Sequence, residues 1–344
     1  MKVLLGMSGG FDSSYSVGVL QRMGYTVEGA CIVMHDRTDI SLAECAAKLL
    51  GIKLHIIDAR ELFESCVIEN FISEYKNART PNPCLVCNPN VKFKCLYKFA
   101  KENDFDKIAT GHYATLSDYV GIDGKTHRAL GRAKDISKDQ SYMLYRLSED
   151  ILKMLILPLG EYTKSELRRS VEGTPLASLD RPDSQEICWL PDGDYPTFIE
   201  KRIGCFPHGS FIDSSGNVLG EHKGIIRYTV GQRKRLGISL GERAFVTDID
   251  PEANTVTLSC SPRVRSEIEL SSVVTIDNSH KMGITRRYNI KVRYSSSPVV
   301  GDVTFLCDGR AKVKLGEPVA HISRGQSAVF YDGDTLVGGG IIEL

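Results

Sequence analysis

An excess of charge of one sign is what this sequence lacks. Among its 344 residues, 43 Lys and Arg are matched by 43 Asp and Glu, a formal net charge of zero at pH 7. Bulk electrostatic attraction is therefore excluded as a reason to bind nucleic acid or a membrane surface. No run approaches the ~20 apolar residues that cross a bilayer. The opening Met1-Lys2-Val3-Leu4-Leu5-Gly6 is too short for a signal h-region and runs into a Ser/Gly turn instead of a cleavage site, so no membrane partner and no export are expected. Internal repeats and low-complexity linkers are also missing. What is present, 42% hydrophobic and 25% charged residues, excludes disordered and fibrous classes and suits a soluble chain of two to three domains.

Ten cysteines are many, yet Cys31, Cys45, Cys66, Cys260 and Cys307 sit singly in apolar runs, unlike a stapled secreted domain. A reducing, cytoplasmic compartment is expected. Strand and helix signals alternate through the first half: strands at 3–7, 26–34, 54–58 and 107–110, helices at 14–23, 42–50, 61–76 and 91–102. This alternation predicts an α/β fold with a mostly parallel sheet covered on both faces, ligands binding beyond the carboxyl ends of its strands. From about 206 the texture turns to short strands and turns. After about 270 it is all-β, with strands at 289–294, 299–307, 311–315, 327–331 and 340–344, which suggests a small β-barrel. The expected domains are 1–205, a small central α+β domain over 206–270, and a barrel over 271–344.

The most specific local feature is Ser8-Gly9-Gly10-Phe11-Asp12-Ser13-Ser14, set between an apolar strand and a helix. Paired glycines let the backbone approach a polyanion, amides and hydroxyls donate to phosphate oxygens, and the helix start adds a positive dipole end. Asp12 suits such a site only with a cation such as Mg²⁺ between it and the phosphate. The loop is neither a Walker loop nor a dinucleotide fingerprint. It resembles the PP-loop of the ATP pyrophosphatases, which adenylate a carbonyl oxygen and release pyrophosphate.

A second feature is Cys84-Leu85-Val86-Cys87, in a proline-stiffened loop ahead of the helix at Val91. From Tyr75 to Lys101 there are six basic residues (Lys76, Arg79, Lys92, Lys94, Lys98, Lys101) and no acidic one. Such a field depresses a thiol pKa and equally attracts a phosphodiester. A structural zinc site would need two further ligands, and no second Cys-x-x-Cys exists to supply them. Cys188, beside the single Trp189, reads as a packing residue or as a partner for the pair; Cys95 reads as packing.

Eight blocks, in order over nearly the whole chain, resemble the bacterial tRNA-specific 2-thiouridylase family. They are Gly6 to Ser14, Thr80 to Asn88, Lys92-Phe93, Thr110 to Ala114, Lys138 to Tyr142, Asp183 to Cys188, Tyr228 to Arg233, and Gly325 to Tyr331. The resemblance implies a PP-loop domain of the adenine nucleotide α-hydrolase type. The implied reaction replaces the C2 oxygen of the wobble uridine of the Lys, Glu and Gln tRNAs by sulfur, releasing AMP and pyrophosphate. It further implies ATP on Gly6, Met7, Ser8, Gly9, Gly10, Phe11, Asp12 and Ser13, with Met34 and Gly111 about the adenosine. Cys87 would be the catalytic nucleophile and Cys188 the persulfide carrier. Asn82, Pro83 and Cys84 would border the target base, and His112, Lys138, Asp139, Gln140, Arg293, Tyr294 and Gln326 would contact tRNA. A sulfur donor such as a cysteine desulfurase or a relay protein is implied as partner.

The sequence departs from the family at position 84, where much of the family has Asp. Cys84, Cys87 and Cys188 together resemble the iron-sulfur-dependent thiolases and imply a 4Fe-4S cluster with one iron free for hydrosulfide; this and the disulfide-forming mechanism both stay open. Phe11 replaces a small aliphatic residue, residues 35–39 are shortened, and Arg235 replaces a Gly. The rival readings are an amide-forming PP-loop synthetase and a non-catalytic RNA-binding protein with a zinc or redox site. Local charge is compatible with tRNA despite the neutral total, because Lys281 to Arg293 adds a second strip of five basic and no acidic residues.

Overall fold

A computed structural model of the chain describes residues 1–180, 187–190, 192–238, 243–306 and 308–344. Asp183 to Glu186 of one family block, and Cys307, lie outside the described residues.

The first unit is built on β1 (Lys2–Gly6), α1 (Phe11–Arg22), β2 (Thr26–Val33), α2 (Ile40–Leu50) and β3 (Leu54–Asp58). There follow α3 (Arg60–Phe63) and α4 (Glu69–Lys76), joined by a π-turn, then α5 (Pro83–Cys87), α6 (Phe93–Glu102) and β4 (Lys107–Thr110). After the hairpin β5 (Thr115–Val120) and β6 (Thr126–Gly131) come α7 (Glu149–Met154), β7 (Leu155–Ile156) and α8 (Lys164–Ser170). β3-β2-β1-β4-β7 is a parallel sheet. Val3, Leu4 and Leu5 are all inaccessible because successive side chains point to opposite layers. Leu4 joins Phe71, Val91, Phe93 and Leu96, while Val3 and Leu5 join Val17 and Leu20 of α1.

Two local differences from the sequence reading matter for the site. Helix α1 begins at Phe11, with Gly10 as N-cap, three residues before the expected start, so Asp12 and Ser13 stand on its first turn. The cysteine pair is helical, not a loop. Asn82 caps α5 by accepting from the Cys84 amide at 3.2 Å, Pro83 takes the first-turn position where no N–H is needed, and the π-turn Asn88–Lys92 carries the chain past Pro89 into α6.

α9 (Tyr195–Ile203) leads to a four-stranded sheet of β8 (Gly209–Ile212), β9 (Val218–His222), β10 (Phe245–Asp250) and β11 (Thr255–Ser259), in the order β10-β11-β8-β9. The last unit is a closed six-stranded barrel of β12 (Val264–Thr275), β13 (Thr285–Lys291), β14 (Val299–Leu306), β15 (Arg310–Ala320), β16 (Ser327–Asp332) and β17 (Thr335–Ile342). β12 pairs with both β15 and β17, which closes the ring. Residue 270 falls in the middle of β12. Tyr294, expected at the end of a strand, lies in the turn beyond β13. The β5-β6 hairpin, which the sequence reading missed, joins the barrel sheet by pairing Gly131 with Thr335 of β17. Among the described residues no helix is long and apolar enough to cross a membrane.

Candidate active site

The order β3-β2-β1-β4-β7 reverses direction between β1 and β4, and a cavity of about 450 Å³ opens beyond their carboxyl ends. Of the residues expected to hold nucleotide, Gly6, Met7, Ser8, Asp12, Ser13, Met34 and Gly111 line it. Gly9, Gly10 and Phe11 do not. Gly9 has φ +80°, and a Cβ there would lie 2.4 Å from the Leu42 carbonyl carbon, so the loop is seated directly on the start of α2. Phe11 points into an apolar cluster with Tyr15, Val19 and Tyr113, which explains how an aromatic is tolerated within the loop. Gly111 lets β4 approach the loop: its Cβ would stand 3.0 Å from the Asp12 carbonyl carbon and the Ser13 nitrogen.

Asp12 has partners within the protein. Its Oδ1 accepts from the Tyr113 hydroxyl at 2.6 Å and its Oδ2 from Lys164 Nζ at 3.1 Å. Neither Tyr113 nor Lys164 was singled out from sequence as a site residue. The available signals were the Gly-His-Tyr-Ala block and the Thr163-x-x-Glu166 capping box that starts α8.

One thiol lines the same cavity and a second lies behind its wall. Cys188 lines it, and Cys87 is buried, its Sγ donating to Met34 Sδ at 3.6 Å. Burial pushes the Cys87 thiol up to about 12, against the pull of Lys92, while negative charge on Cys188 or Cys84 would push it further. Crowding by surrounding atoms likewise raises the thiol of Cys188, at the exposed mouth of the cavity, and Lys92 again opposes. Lys92, a wall residue, is thus the cation shared by both thiols; the sequence reading placed it in a basic stretch and a family block without assigning it a role. Cys84 is exposed at the start of α5. Among the described residues no three His, Cys, Asp or Glu side chains form a metal-holding group. The three thiols therefore sense one another electrostatically without standing as a preformed ligand set.

The residues expected at tRNA divide into three groups. Gln140 and His112 line the nucleotide cavity. Gln140 Oε1 accepts from the Tyr113 amide at 3.0 Å, and His112 Nδ1 meets Thr110 Oγ1 at 2.8 Å. Burial and then Lys92 drive His112 down to about 3, so it is neutral. Asp139 and Gln326 are buried. Asp139 accepts from the Ala133 and Ser141 amides and the Ser141 hydroxyl, and Gln326 Nε2 donates to the Thr80 carbonyl at 2.9 Å. The third group remains towards solvent. Tyr294 is 37% exposed with Lys291 Nζ 5.6 Å from its ring centre, and Lys138 is half-buried. Arg293 holds Ser323 Oγ at 2.6 Å and lines a cleft of about 810 Å³ with Arg227, Lys234 and Arg235. Asn82, besides capping α5, reaches Met143 Sδ at 3.5 Å.

A glycine-rich phosphate loop at the switch point of a parallel sheet, with the Cys188 thiol on the same cavity wall, defines an adenine nucleotide α-hydrolase-type domain of the PP-loop class. Comparison with known proteins carries this further. Residues 1–192 match the family model of a tRNA methyl transferase HUP domain, 196–260 that of a tRNA methyl transferase PRC-barrel domain, and 265–342 that of an aminomethyltransferase beta-barrel domain. The tRNA-specific 2-thiouridylase MnmA of Treponema denticola is 40% identical over 359 residues, covering 100% of this chain and 98% of that protein. The proteins of the same name from Halothermothrix orenii and Acetivibrio thermocellus are each 39% identical, covering 99% of this chain and 99% of theirs. The chain belongs to the tRNA-specific 2-thiouridylase family.

Proposed function

We propose that this chain is an ATP-dependent tRNA 2-thiouridylase that acts on the wobble uridine of the Lys, Glu and Gln tRNAs, in the cytoplasm. One observation carries the reading: the phosphate loop and the Cys188 thiol line one cavity, and the buried Cys87 thiol stands directly behind its Met34 wall. A uracil carbonyl oxygen is a poor leaving group, so adenylation must precede its displacement, and both steps need a phosphate cradle beside a sulfur nucleophile. The target uridine must leave the anticodon stack to reach it, past Asn82, Pro83 and Cys84.

In the step we favour, Cys188 arrives as a persulfide loaded by a cysteine desulfurase or relay protein. The Cys87 thiolate attacks the inner sulfur, and the sulfur–sulfur bond breaks with its electron pair passing to the outer sulfur. That sulfur bonds to C2 as AMP leaves with the original oxygen. A Cys87–Cys188 disulfide results, which a thiol reductant resets. Lys92 favours the thiolate against the burial that holds Cys87 protonated. Mg²⁺ is expected to arrive on the triphosphate, since both Asp12 oxygens have protein partners and no further acidic side chain among the described residues completes a site with it.

The third thiol, Cys84, favours a second reading in which all three cysteines hold a 4Fe-4S cluster. The thiols as placed do not fit one, because Cys87 is turned to Met34, so no step is derived through it. Anaerobic incubation with unmodified tRNA, ATP, Mg²⁺ and a sulfide source should yield 2-thiouridine by mass spectrometry. Active anaerobic enzyme without iron excludes the cluster. Retained activity of Cys87→Ser would favour an amide-forming synthetase, and absence of tRNA-dependent AMP release would favour a non-catalytic RNA-binding protein.

A further inference from the structure

Lys164 is 4% exposed, an unusual position for a lysine, and its ammonium lies 3.1 Å from Oδ2 of Asp12, which lines the nucleotide cavity while Lys164 itself does not. Its backbone is held firmly. Thr163 and Glu166 form a reciprocal capping box, and the Lys164 amide donates to Asp135 Oδ2 at 3.0 Å. The next turn of α8 is anchored by Leu167, buried in the cluster that also holds Phe11 and Tyr113. The other Asp12 oxygen is held by the Tyr113 hydroxyl at 2.6 Å. The carboxylate is therefore clamped on both oxygens at the wall of a cavity built to receive a polyanion.

We propose that Lys164 is the resident counter-charge of the phosphate loop: it neutralises and positions Asp12 so that a triphosphate can enter without meeting an uncompensated carboxylate. This rests on the reading of the cavity as the ATP site. A buried charge left without its partner keeps its desolvation cost and repels a like charge at short range, so deleting the ammonium alone is worse for nucleotide binding than deleting the pair. Lys164 is a positioning residue, because it acts on the nucleotide through Asp12.

The test is calorimetric titration of the full chain with the Mg²⁺ complex of a non-hydrolysable ATP analogue. Lys164→Met should weaken binding by about tenfold or more, and Lys164→Arg should remain within about threefold of the parent. The double variant Asp12→Asn/Lys164→Met should bind as Asp12→Asn alone does, a recovery that a purely structural lysine would not give. Should Lys164→Met fail to fold, as judged by circular dichroism, the comparison of Asp12→Asn with the double variant still decides. Wild-type binding beside an unaffected Lys164→Met, or a double variant binding more weakly than Asp12→Asn, overturns the inference alone. A wild-type chain that binds no nucleotide overturns the reading of the cavity and the inference with it.

Discussion

Gln326, on the barrel, donates from Nε2 to the main-chain carbonyl of Thr80 at 2.9 Å, four residues before Cys84. The Thr80 amide returns a hydrogen bond to the Arg324 carbonyl at 2.8 Å, and Arg79 pairs with Glu343 at 2.5 Å and Glu74 at 2.9 Å. Gly325, at φ +83°, is required for this approach: a Cβ would lie 3.1 Å from the Thr80 carbonyl oxygen. The barrel thus holds the loop from α4 that delivers the cysteine helix α5.

Gln326→Leu should leave the Thr80 carbonyl without its partner, a cost of about 1–3 kcal/mol for a buried acceptor. Thiolation should fall by about tenfold, with nucleotide affinity unchanged, because the phosphate loop is not part of this contact. Parallel measurement of kcat and of nucleotide binding checks the split.

The Arg79–Glu343 pair predicts acid sensitivity. Burial alone would raise the Glu343 carboxyl, but hydrogen bonds from Arg79 and Ser271 hold it below its ordinary value of 4.5. A folded-state pKa depressed in this way contributes stability above the unfolded value and loses it as pH falls through the folded one. Glu343→Gln should lower Tm at pH 7 by about 2–4 °C, and the difference from wild type should shrink below pH 4.5.

At high pH the sign reverses. Burial pushes the Cys87 thiol up to about 12 in the folded chain, from its ordinary value of 9.0. Between these values the unfolded chain gives up the proton first, so stability falls as pH rises from 9.0 to about 12. Cys87→Ser should remove that component of the decline in thermal melts while abolishing thiolation.

Gly111→Ala would place a methyl 3.0 Å from the backbone of Asp12 and Ser13, which cannot retreat as a flexible side chain could. The loop must shift, and ATP affinity should weaken by about tenfold. A melt within a few degrees of wild type would show that the loss is local.

Binding of tRNA should have a shallow salt dependence. Within the two basic strips, Arg79, Lys98, Arg287 and Arg293 already have partners in Glu343, Glu102, Asp302 and Ser323. A slope of log K against log salt near about −3 is expected, the signature of about four neutralised phosphates. A much steeper slope would contradict it.

Much of the first unit was legible in the sequence. Strands 54–58 and 107–110 appear at those bounds, since each is a short β-branched run set off by turn residues, even though β3 is an edge strand with Ile56 exposed. The α5 start was missed although its determinants, Asn82 and Pro83, are local; prolines were read as a loop when they mark a helix beginning. The β5-β6 hairpin was missed for a non-local reason, its Thr335 partner being some two hundred residues downstream. Polar side chains of family blocks were read together as tRNA contacts, yet Asp139 and Gln326 are buried and bonded within the protein.

By itself the sequence determined the elements whose causes lie within a few residues: the glycine turn and helix at the phosphate loop, the cap on Asn82, and the inward alternation of Val3, Leu4 and Leu5. Only the tertiary structure decided that Lys164 meets Asp12, that Met34 covers Cys87, and that Gln326 holds Thr80. The physical reason is distance along the chain. Secondary structure follows from local sterics and periodicity, whereas the charge and exposure of a thiol or carboxylate depend on which remote side chains packing brings against it.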